Sequence, residues 1–278
     1  MKVCYTGWTW IKSEKNPEMA KKELKQSFID CKFLGYDYVE NFAFISDYYK
    51  ENPQELVELA KECGVTIVNL YGHPTLDVEN AIEVGKAQID FLAAIGAPYF
   101  NCQHGGGFGD DGPLERPTNP EMIDKMCHVA NVLGKYAKER SVTLCFHPHY
   151  GTCVFSHSDI DYFMEKTNPA YVSMCLDTAH TTLAGMDPVK LIKQYADRIA
   201  YIHLKDVDTY ALKHAEGAAK MATFRALGHG MVNFPEVKAA LEEIGYDGVL
   251  CVELDCPEVC NFHSAEVSRI YIKDVLKL

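Results

Sequence analysis

The fold is decided by residues 171 to 207, YVSMCLDTAHTTLAGMDPVKLIKQYADRIAYIHLKDV. Apolar runs near both ends of this stretch predict two buried strands, and Pro188 opens a segment between them with apolar residues at helical spacing. This order predicts a β-α-β unit with parallel strands. Because both strands then end at the same edge of the sheet, we expect Asp177 and His203 to face one pocket.

The same alternation continues along the whole chain. Strands are predicted at residues 2–7, 36–41, 65–70, 98–104, 142–146, 171–176, 199–202 and 248–253. Helices are predicted at residues 17–34, 53–63, 78–95, 121–138, 159–165, 188–195, 235–244 and 265–276. Eight strands alternating with eight helices over roughly 250 residues are typical of a (β/α)8 TIM barrel. We therefore expect an α/β protein with one barrel domain spanning residues 1–278.

A doubly wound open sheet is the competing fold, and it usually carries a glycine-rich phosphate-binding turn after its first strand. Here the only GxGxxG pattern, at Gly107, Gly109 and Gly112, follows the fourth strand and contains two aspartates that would repel a pyrophosphate. We interpret it as a loop. We expect either this loop or the polar stretch 208–223 to close over a ligand on the catalytic face.

Composition excludes several classes of protein. No apolar run approaches the ~20 residues needed to span a bilayer, and the first residues become polar too quickly for a signal peptide. Lysine and arginine total 27 against 39 acidic residues, a net charge of −12, which argues against a nucleic-acid partner and favours a bound cation. We expect a cytoplasmic protein; the sequence leaves open whether it forms a homo-oligomer.

Five of the eleven cysteines fall inside predicted apolar strands, and they indicate reduced core thiols in a reducing cytoplasm. The clearest examples are Cys4, Cys145, Cys175 and Cys251. A weaker zinc hypothesis concerns three residues close together near the C-terminus, which lack a CxxC pair. They are Cys256, Cys260 and His263.

Polar side chains collect where the predicted strands end, which is where barrel enzymes carry their function. They are Glu40, His73, Gln103, His104, His147, His149, Asp177, His180, His203, Lys205, Glu253 and Asp255. Chance would scatter the histidines over helices and loops. This clustering predicts a functional site at the C-terminal mouth of the barrel.

Chemistry suggests roles for these residues. Asp177, His203 and Glu253 are two carboxylates and an imidazole from consecutive strands, a set that suits Mn²⁺ first and also Co²⁺, Mg²⁺ or Zn²⁺. His147 is placed to be a fourth ligand or an acid/base group. A metal here would polarise a substrate carbonyl and stabilise an enediolate, while an imidazole or carboxylate such as His149 or Glu253 moves the proton at the neighbouring carbon.

Each assignment has a simpler alternative. Asp177 can be a helix cap, and the His-Pro-His run can be a turn with two solvated imidazoles. Lys205 can neutralise an oxyanion, or it can pair with Asp206 or Asp208.

Four motifs resemble the xylose-isomerase-like TIM barrel superfamily, which includes sugar isomerases and epimerases, inosose dehydratases and endonuclease-like zinc enzymes. They are LDTAH at 176–180, IHLKD at 202–206, FRALGHG at 224–230 and GVLCVELD at 248–255. The resemblance implies that His147, Asp177, His203 and Glu253 bind the metal. It also implies that His180 and Arg225, with the Gly228-x-Gly230 loop, bind substrate. Glu40, His73, Gln103 and Lys205 are further candidates for substrate binding from their strand-end positions.

The resemblance also orders the possible reactions. Epimerases of the superfamily usually carry Glu where this chain has His147, and the run His147-Pro-His149-Tyr-Gly-Thr152 is similar to the inosose dehydratase branch. The leading hypothesis is a metal-dependent enzyme acting on a keto-polyol or keto-sugar, as a dehydratase or as an isomerase or epimerase. The alternatives are a sugar-binding barrel without catalysis and an endonuclease-like zinc hydrolase, which the acidic charge disfavours.

Overall fold

The computed structural model is a closed barrel of eight parallel strands, which confirms the predicted (β/α)8 fold. It describes residues 1–72, 77–103, 119–215 and 223–278. The glycine-rich loop after the fourth strand and part of the polar stretch 208–223 lie outside the described residues, as do His73 and His104. The closure of these loops over a ligand therefore stays a prediction.

The barrel runs in the order β1-β10-β7-β6-β5-β4-β3-β2, and β8 and β9 form a separate antiparallel pair. The strands are β1 (Lys2–Thr6), β2 (Tyr38–Phe42), β3 (Thr66–Tyr71), β4 (Tyr99–Cys102), β5 (Thr143–Phe146), β6 (Val172–Asp177), β7 (Ile199–Leu204), β8 (Asp206–Val207), β9 (Phe224–Arg225) and β10 (Val249–Val252). Each barrel strand pairs with its neighbours in parallel register, so all eight C-terminal ends open at the same mouth.

Helices cover the outside of the barrel, and none of those described is long and apolar enough to cross a membrane. They are α1 (Pro17–Phe33), α2 (Ile45–Tyr49), α3 (Pro53–Cys63), α4 (Val78–Ile95), α5 (Pro120–Lys138), α6 (His157–Lys166), α7 (Thr178–Leu183), α8 (Pro188–Gln194), α9 (Thr209–His214), α10 (Phe234–Glu243) and α11 (Asn261–Tyr271). A short π-helical segment, Ile272–Leu276, follows the last helix.

Local signals explain most helix boundaries. Asn16 accepts a hydrogen bond from the backbone N–H of Met19 and precedes a proline at the first position of α1. Gly96 ends α4 with φ of 72°, a left-handed conformation that glycine adopts without a steric penalty. These caps place each helix so that it returns the chain to the next strand.

Several short elements were not predicted, among them α2, α7, α9 and the β8–β9 pair. α7 forms in the stretch between the predicted strand 171–176 and the helix at 188, because the Asp177 side chain caps a helix that begins immediately after the strand. The β8–β9 pair joins residues that lie far apart in sequence, with Asp206 opposite Arg225. Pairing of this kind leaves no local sequence signal.

The interior of the barrel is filled by a small apolar cluster under the mouth. It consists of Cys4, Val68, Cys145, Cys175, Tyr201, Val249 and Cys251. All eleven cysteines are free, and those predicted to be core thiols are buried. The cluster makes the barrel a solid core whose polar chemistry is confined to one end.

Packing between α5 and the chain that enters β6 gives a stability test at Gly134. A Cβ atom at Gly134 would lie 2.5 Å from the backbone oxygen of Tyr171, whereas a Cβ atom at Gly85 in α4 meets the flexible end of Leu133. Both Gly→Ala changes gain about 1 kcal/mol of helix propensity. We expect Gly134→Ala to lower the free energy of unfolding by about 1–3 kcal/mol in urea titrations, because backbone cannot move aside. The matched variant Gly85→Ala should lose less, and the reverse order would contradict this packing.

Candidate active site

The predicted metal ligands meet at the C-terminal mouth. Asp177 is the last residue of β6 and lies opposite His203 of β7 in the strand register. Glu253 directly follows β10, and His147 directly follows β5. All four side chains are buried. Strands that are distant in sequence therefore bring one donor each to the same place.

Asp177 uses its two carboxylate oxygens differently. Oδ1 accepts a hydrogen bond of 2.7 Å from the backbone N–H of His180 and so caps α7. Oδ2 lies 3.7 Å from His147 Nε2 and 3.9 Å from His203 Nδ1, and it has no hydrogen-bond partner among the described residues. The helix-cap interpretation and the ligand interpretation are therefore compatible, with one oxygen serving each.

The four donor atoms form a compact set whose atoms lie within 4.8 Å of one another. His203 Nδ1 is 2.8 Å from Glu253 Oε2, yet neither atom has a hydrogen-bond partner in the described part of the chain. Buried polar atoms are almost always hydrogen-bonded, so converging unpartnered atoms indicate a missing ligand. Two imidazole nitrogens and two carboxylate oxygens fit Mn²⁺, Co²⁺ or Zn²⁺.

Charges around this set are strongly coupled. Burial by itself would raise the pKa of Glu253, but Lys205 and His203 hold that pKa well below its usual value. Burial would lower the pKa of His203, but Cys175, Glu40 and Glu253 raise it well above its usual value. Burial raises the pKa of Asp177. The mouth thus concentrates negative charge and favours a positive occupant beside His203 Nδ1.

A second group of side chains, His149, His180 and Lys205, lies beside the ligand set. The rings of His149 and His180 lie 3.6 Å apart between centroids. His149 Nδ1 lies 2.8 Å from the backbone oxygen of Tyr150, which favours the tautomer with its lone pair on Nε2. Burial lowers the pKa of both imidazoles well below the usual value, so they are neutral near pH 7. The two histidines of the His-Pro-His run are buried, so the solvated-turn interpretation is wrong.

Lys205 is fully buried and links the two groups. Its Nζ lies 2.7 Å from Asp255 Oδ2, 3.3 Å from Glu253 Oε1 and 3.5 Å from His180 Nε2. Burial raises the pKa of Asp255 to about 6, against the opposing effect of Lys205. The suggested pairing of Lys205 with Asp206 or Asp208 is wrong, because both of those carboxylates are engaged elsewhere.

Asp206 instead holds the Gly-x-Gly loop. Its Oδ1 accepts from the backbone N–H groups of Val207 and Val232 at 2.9 and 3.0 Å. Its Oδ2 accepts from Gly228 and Gly230, both at 2.9 Å. A Cβ atom at Gly230 would lie only 2.3 Å from Asp206 Oδ1. The glycines therefore allow the backbone to close around a buried carboxylate.

The predicted substrate-binding residues occupy different surroundings. Arg225 Nη2 lies 3.3 Å from Asp208 Oδ2, and its Nε lies 3.6 Å from Glu258 Oε1. Gln103 is buried at the end of β4, and Glu40 is buried beneath His203. For His73 the structure describes no surroundings. Substrate binding by these residues stays a prediction.

Sequence reasoning placed Asp255 at the mouth without a role and missed Tyr71. Asp255 follows Glu253 by two residues. Because side chains alternate between the two sides of an extended chain, this spacing could have predicted that both carboxylates lie on the same side. The ring of Tyr71 packs edge-on against His147 with centroids 5.3 Å apart, a contact without a local signal. Near the C-terminus, Cys256 and Cys260 are exposed and, in the described part of the chain, form no ligand cluster with His263.

The Asp206 arrangement predicts a specific loss of stability. In Asp206→Asn one of the two acceptor oxygens becomes an amide donor, which faces backbone N–H groups that also donate. We expect the free energy of unfolding to fall by about 1–3 kcal/mol, the cost of leaving buried donors unpaired, in chemical denaturation. The exposed Asp187→Asn change, which also alters an aspartate beside backbone N–H groups, is the control and should cost less. Equal losses would contradict the role of Asp206.

The unpartnered donor set predicts metal-dependent stability. Mn²⁺ or Zn²⁺ at 100 times its dissociation constant should stabilise the folded state by about 2.7 kcal/mol, seen as a rise in Tm that a chelator reverses. Asp177→Asn keeps the shape of the side chain and removes its charge, so this rise should be lost or greatly reduced. The control variant Asp161→Asn changes an exposed position of α6 and should keep the metal-induced rise in Tm. A full metal-induced shift in Asp177→Asn would contradict the proposed ligand set.

Comparisons with known proteins agree with this geometry. The family model Xylose isomerase-like TIM barrel matches residues 28–273. An inosose dehydratase from Geobacillus thermodenitrificans is 31% identical over 292 aligned positions, covering 98% of this chain and 95% of that protein. This confirms the resemblance seen in the motifs.

Two solved structures share the fold. The IOLI protein with a bound zinc atom has a TM-score of 0.77 at 18% identity, covering 100% of this chain and 98% of that one. The 3-keto-D-glucoside 4-epimerase YcjR from E. coli has a TM-score of 0.75 at 14% identity, covering 98% of this chain and 99% of that one. The family match, the 31% identical relative and the closed barrel agree, and the chain belongs to the xylose isomerase-like TIM barrel family.

Proposed function

We propose that this protein is a divalent-metal-dependent enzyme that removes a proton next to the carbonyl group of a keto-polyol or keto-sugar and then eliminates water. The observation that carries the proposal is the convergence of four unpartnered ligand atoms beside two adjacent, neutral imidazoles. Similarity to an inosose dehydratase over nearly the whole chain supports an inosose-type substrate. The substrate class and the reaction are inferences from these two lines of support.

His147, Asp177, His203 and Glu253 would hold the cation. Bound there, the cation would polarise the carbonyl oxygen of the substrate and stabilise the negative charge of an enediolate. Mn²⁺ is our first expectation for this mixed oxygen and nitrogen set, and the bound zinc of the IOLI protein makes Zn²⁺ the natural second choice.

His149 is the proposed base. Its Nδ1 contacts the Tyr150 carbonyl oxygen, so Nε2 carries the lone pair that accepts the proton from the carbon next to the carbonyl group. The electron pair of the broken C–H bond forms the enediolate. As that pair forms the carbon–carbon double bond, the β-hydroxyl group leaves and takes the same proton back from His149. One substrate thus gives one unsaturated ketone and one water, and His149 returns to its neutral form.

His180 and Lys205 are proposed to orient the substrate. Lys205 is a buried cation 3.5 Å from His180 Nε2, which favours the tautomer of His180 with its proton on Nδ1. That Nδ1 is buried and has no partner among the described residues, so it can donate a hydrogen bond to a substrate hydroxyl. This arrangement fits a polyol, which offers an acceptor oxygen on every carbon.

Water loss is favoured over epimerisation by the position of these groups. A two-base epimerase places one acid/base group on each face of the reacting carbon. Here the rings of His149 and His180 are in contact, with centroids 3.6 Å apart and planes tilted by 38°, so no substrate fits between them. His147 also stands where the superfamily's epimerases carry Glu, and its nitrogen is committed to the ligand set. Both features favour a single base.

The proposal is tested by incubating the Mn²⁺-loaded protein with scyllo-inosose and, separately, with ketohexoses. Growth of enone absorbance with inosose supports dehydration, whereas interconversion of ketohexoses without enone supports isomerase or epimerase activity. Exchange of substrate hydrogen with D₂O reports the shared first step. If no metal and no candidate substrate gives exchange, the protein is a sugar-binding barrel without catalysis and the proposal fails.

The variant His149→Ala tests whether His149 is a general base or a metal ligand. We expect metal content to stay stoichiometric and turnover to fall by about 10²–10⁴-fold, the usual contribution of a general base. The control His128→Ala removes an exposed imidazole on α5 and should leave both quantities unchanged. Loss of metal in His149→Ala, together with retention in His147→Ala, would reverse the assignment of the two histidines.

A further inference from the structure

A buried polar network lies directly beneath His203. Glu40 of β2, Asn69 of β3 and Asn101 of β4 each have zero exposed surface. Glu40 Oε2 accepts hydrogen bonds from Asn69 Nδ2 at 2.8 Å and from Asn101 Nδ2 at 3.1 Å. Asn69 Oδ1 in turn accepts from the backbone N–H of Asn101 at 2.9 Å. Three neighbouring strands thus fix one carboxylate in place.

This carboxylate faces the imidazole nitrogen that points away from the ligand set. His203 Nε2 lies 3.1 Å from Glu40 Oε1 and 3.2 Å from Oε2, while His203 Nδ1 points to Asp177 and Glu253. A fully buried carboxylate is costly unless it is paired and hydrogen-bonded. Glu40 lies on the Nε2 side of His203, opposite the Nδ1 side that faces Asp177 and Glu253, and this placement suggests a role that acts through His203.

We propose that Glu40 is a positioning residue, which accepts the Nε2 proton of His203 and thereby directs the Nδ1 lone pair of His203 at the metal position. The inference rests on the metal-dependent function proposed above. Metal-binding histidines commonly donate their second N–H to a carboxylate, which fixes the tautomer and ring orientation. Asn69 and Asn101 complete the arrangement by preventing Glu40 from rotating away. Glu40 thus acts through His203, without touching the substrate.

A competing arrangement would put a metal on the other side of the imidazole. His203, Glu40 and Cys251 also offer ligand atoms within 4.8 Å of one another. However, Glu40 Oε2 already accepts two amide hydrogen bonds, and Cys251 belongs to the packed apolar cluster under the mouth. The Nδ1 side offers three further donor atoms without hydrogen-bond partners among the described residues, from His147, Asp177 and Glu253. The Nδ1 side is therefore the metal side.

Glu40→Gln is the sharpest change. With Glu, both oxygens facing Nε2 are acceptors, so only the tautomer with a proton on Nε2 is satisfied. With Gln, the oxygen stays where Asn69 and Asn101 donate to it, so the amide nitrogen replaces Oε1 and donates to Nε2, which favours the His203 tautomer with its proton on Nδ1. The Asn69 side chain cannot flip to compensate, because its oxygen accepts from the backbone of Asn101. The substitution keeps the volume and removes the directing charge.

The first measurement is metal affinity of the full chain, with Mn²⁺ as the probe. We expect Glu40→Gln to bind Mn²⁺ about 10–100-fold more weakly than the wild type, the usual effect of losing such a carboxylate. Glu40→Asp keeps the charge and should recover part of the loss. Cys251→Ala is the matched control beneath the same imidazole and should change the affinity less than about twofold. An unchanged affinity in folded Glu40→Gln, or a large loss in Cys251→Ala, would overturn the inference.

The second measurement is an NMR experiment that starts with the wild type. In the Zn²⁺-loaded wild type with ¹⁵N-labelled histidine, His203 should show a proton on Nε2 that exchanges slowly with solvent, and a metal-shifted Nδ1. In Glu40→Gln this proton should move upfield and exchange faster, an effect that mere destabilisation would not produce. Coordination of zinc through Nε2 would overturn the inference while leaving a metal-dependent function intact. A wild type that binds no metal would overturn both.

Discussion

The structure depends on the burial of carboxylates in a closed barrel mouth. Glu40, Asp177, Glu253 and Asp255 converge there, and Lys205 supplies a fixed positive charge against them. Carboxylates removed from water are tolerated only when cations and hydrogen-bond donors compensate them. In the absence of a metal the raised pKa of His203 lets a proton supply part of that compensation. A divalent cation among the same groups would supply it more fully, which supports the proposed metal site.

The same carboxylates also build the surrounding backbone. Asp177 divides its two oxygens between the N-terminus of α7 and the ligand set, so the helix and the site form together. Asp206 accepts three hydrogen bonds from the loop between β9 and α10 and one from Val207 of β8, and it contributes nothing to the ligand set. Two aspartates that follow neighbouring strands therefore have opposite uses. Backbone N–H groups donate to both carboxylate oxygens of Asp206, whereas at Asp177 a backbone N–H group donates to only one of them.

Compared with a two-base arrangement, this site concentrates its proton chemistry on one side. The adjacent pair His149 and His180 is neutral because burial disfavours the charged imidazole, and Lys205 provides the local positive charge. A neutral imidazole beside a cation can accept a proton without first losing one. The neutral imidazoles beside a buried cation distinguish this site more than its fold does, because the same fold is shared by enzymes with different reactions.

The sequence by itself determined the barrel and grouped the residues of the proposed ligand set. Apolar runs alternating with helical patterns identify all eight barrel strands, and parallel connection places every strand end at one mouth, so Asp177, His203 and Glu253 could be grouped from position alone. Only the tertiary structure decided the contacts: Lys205 with Asp255, Asp206 with the glycine loop, and Glu40 with His203. These contacts depend on how deep each side chain lies along the barrel axis and on its angle around that axis. The order of the strands specifies neither the depth nor the angle of a side chain. A shift of one residue in register or a few degrees of twist moves a side chain from the mouth into the core.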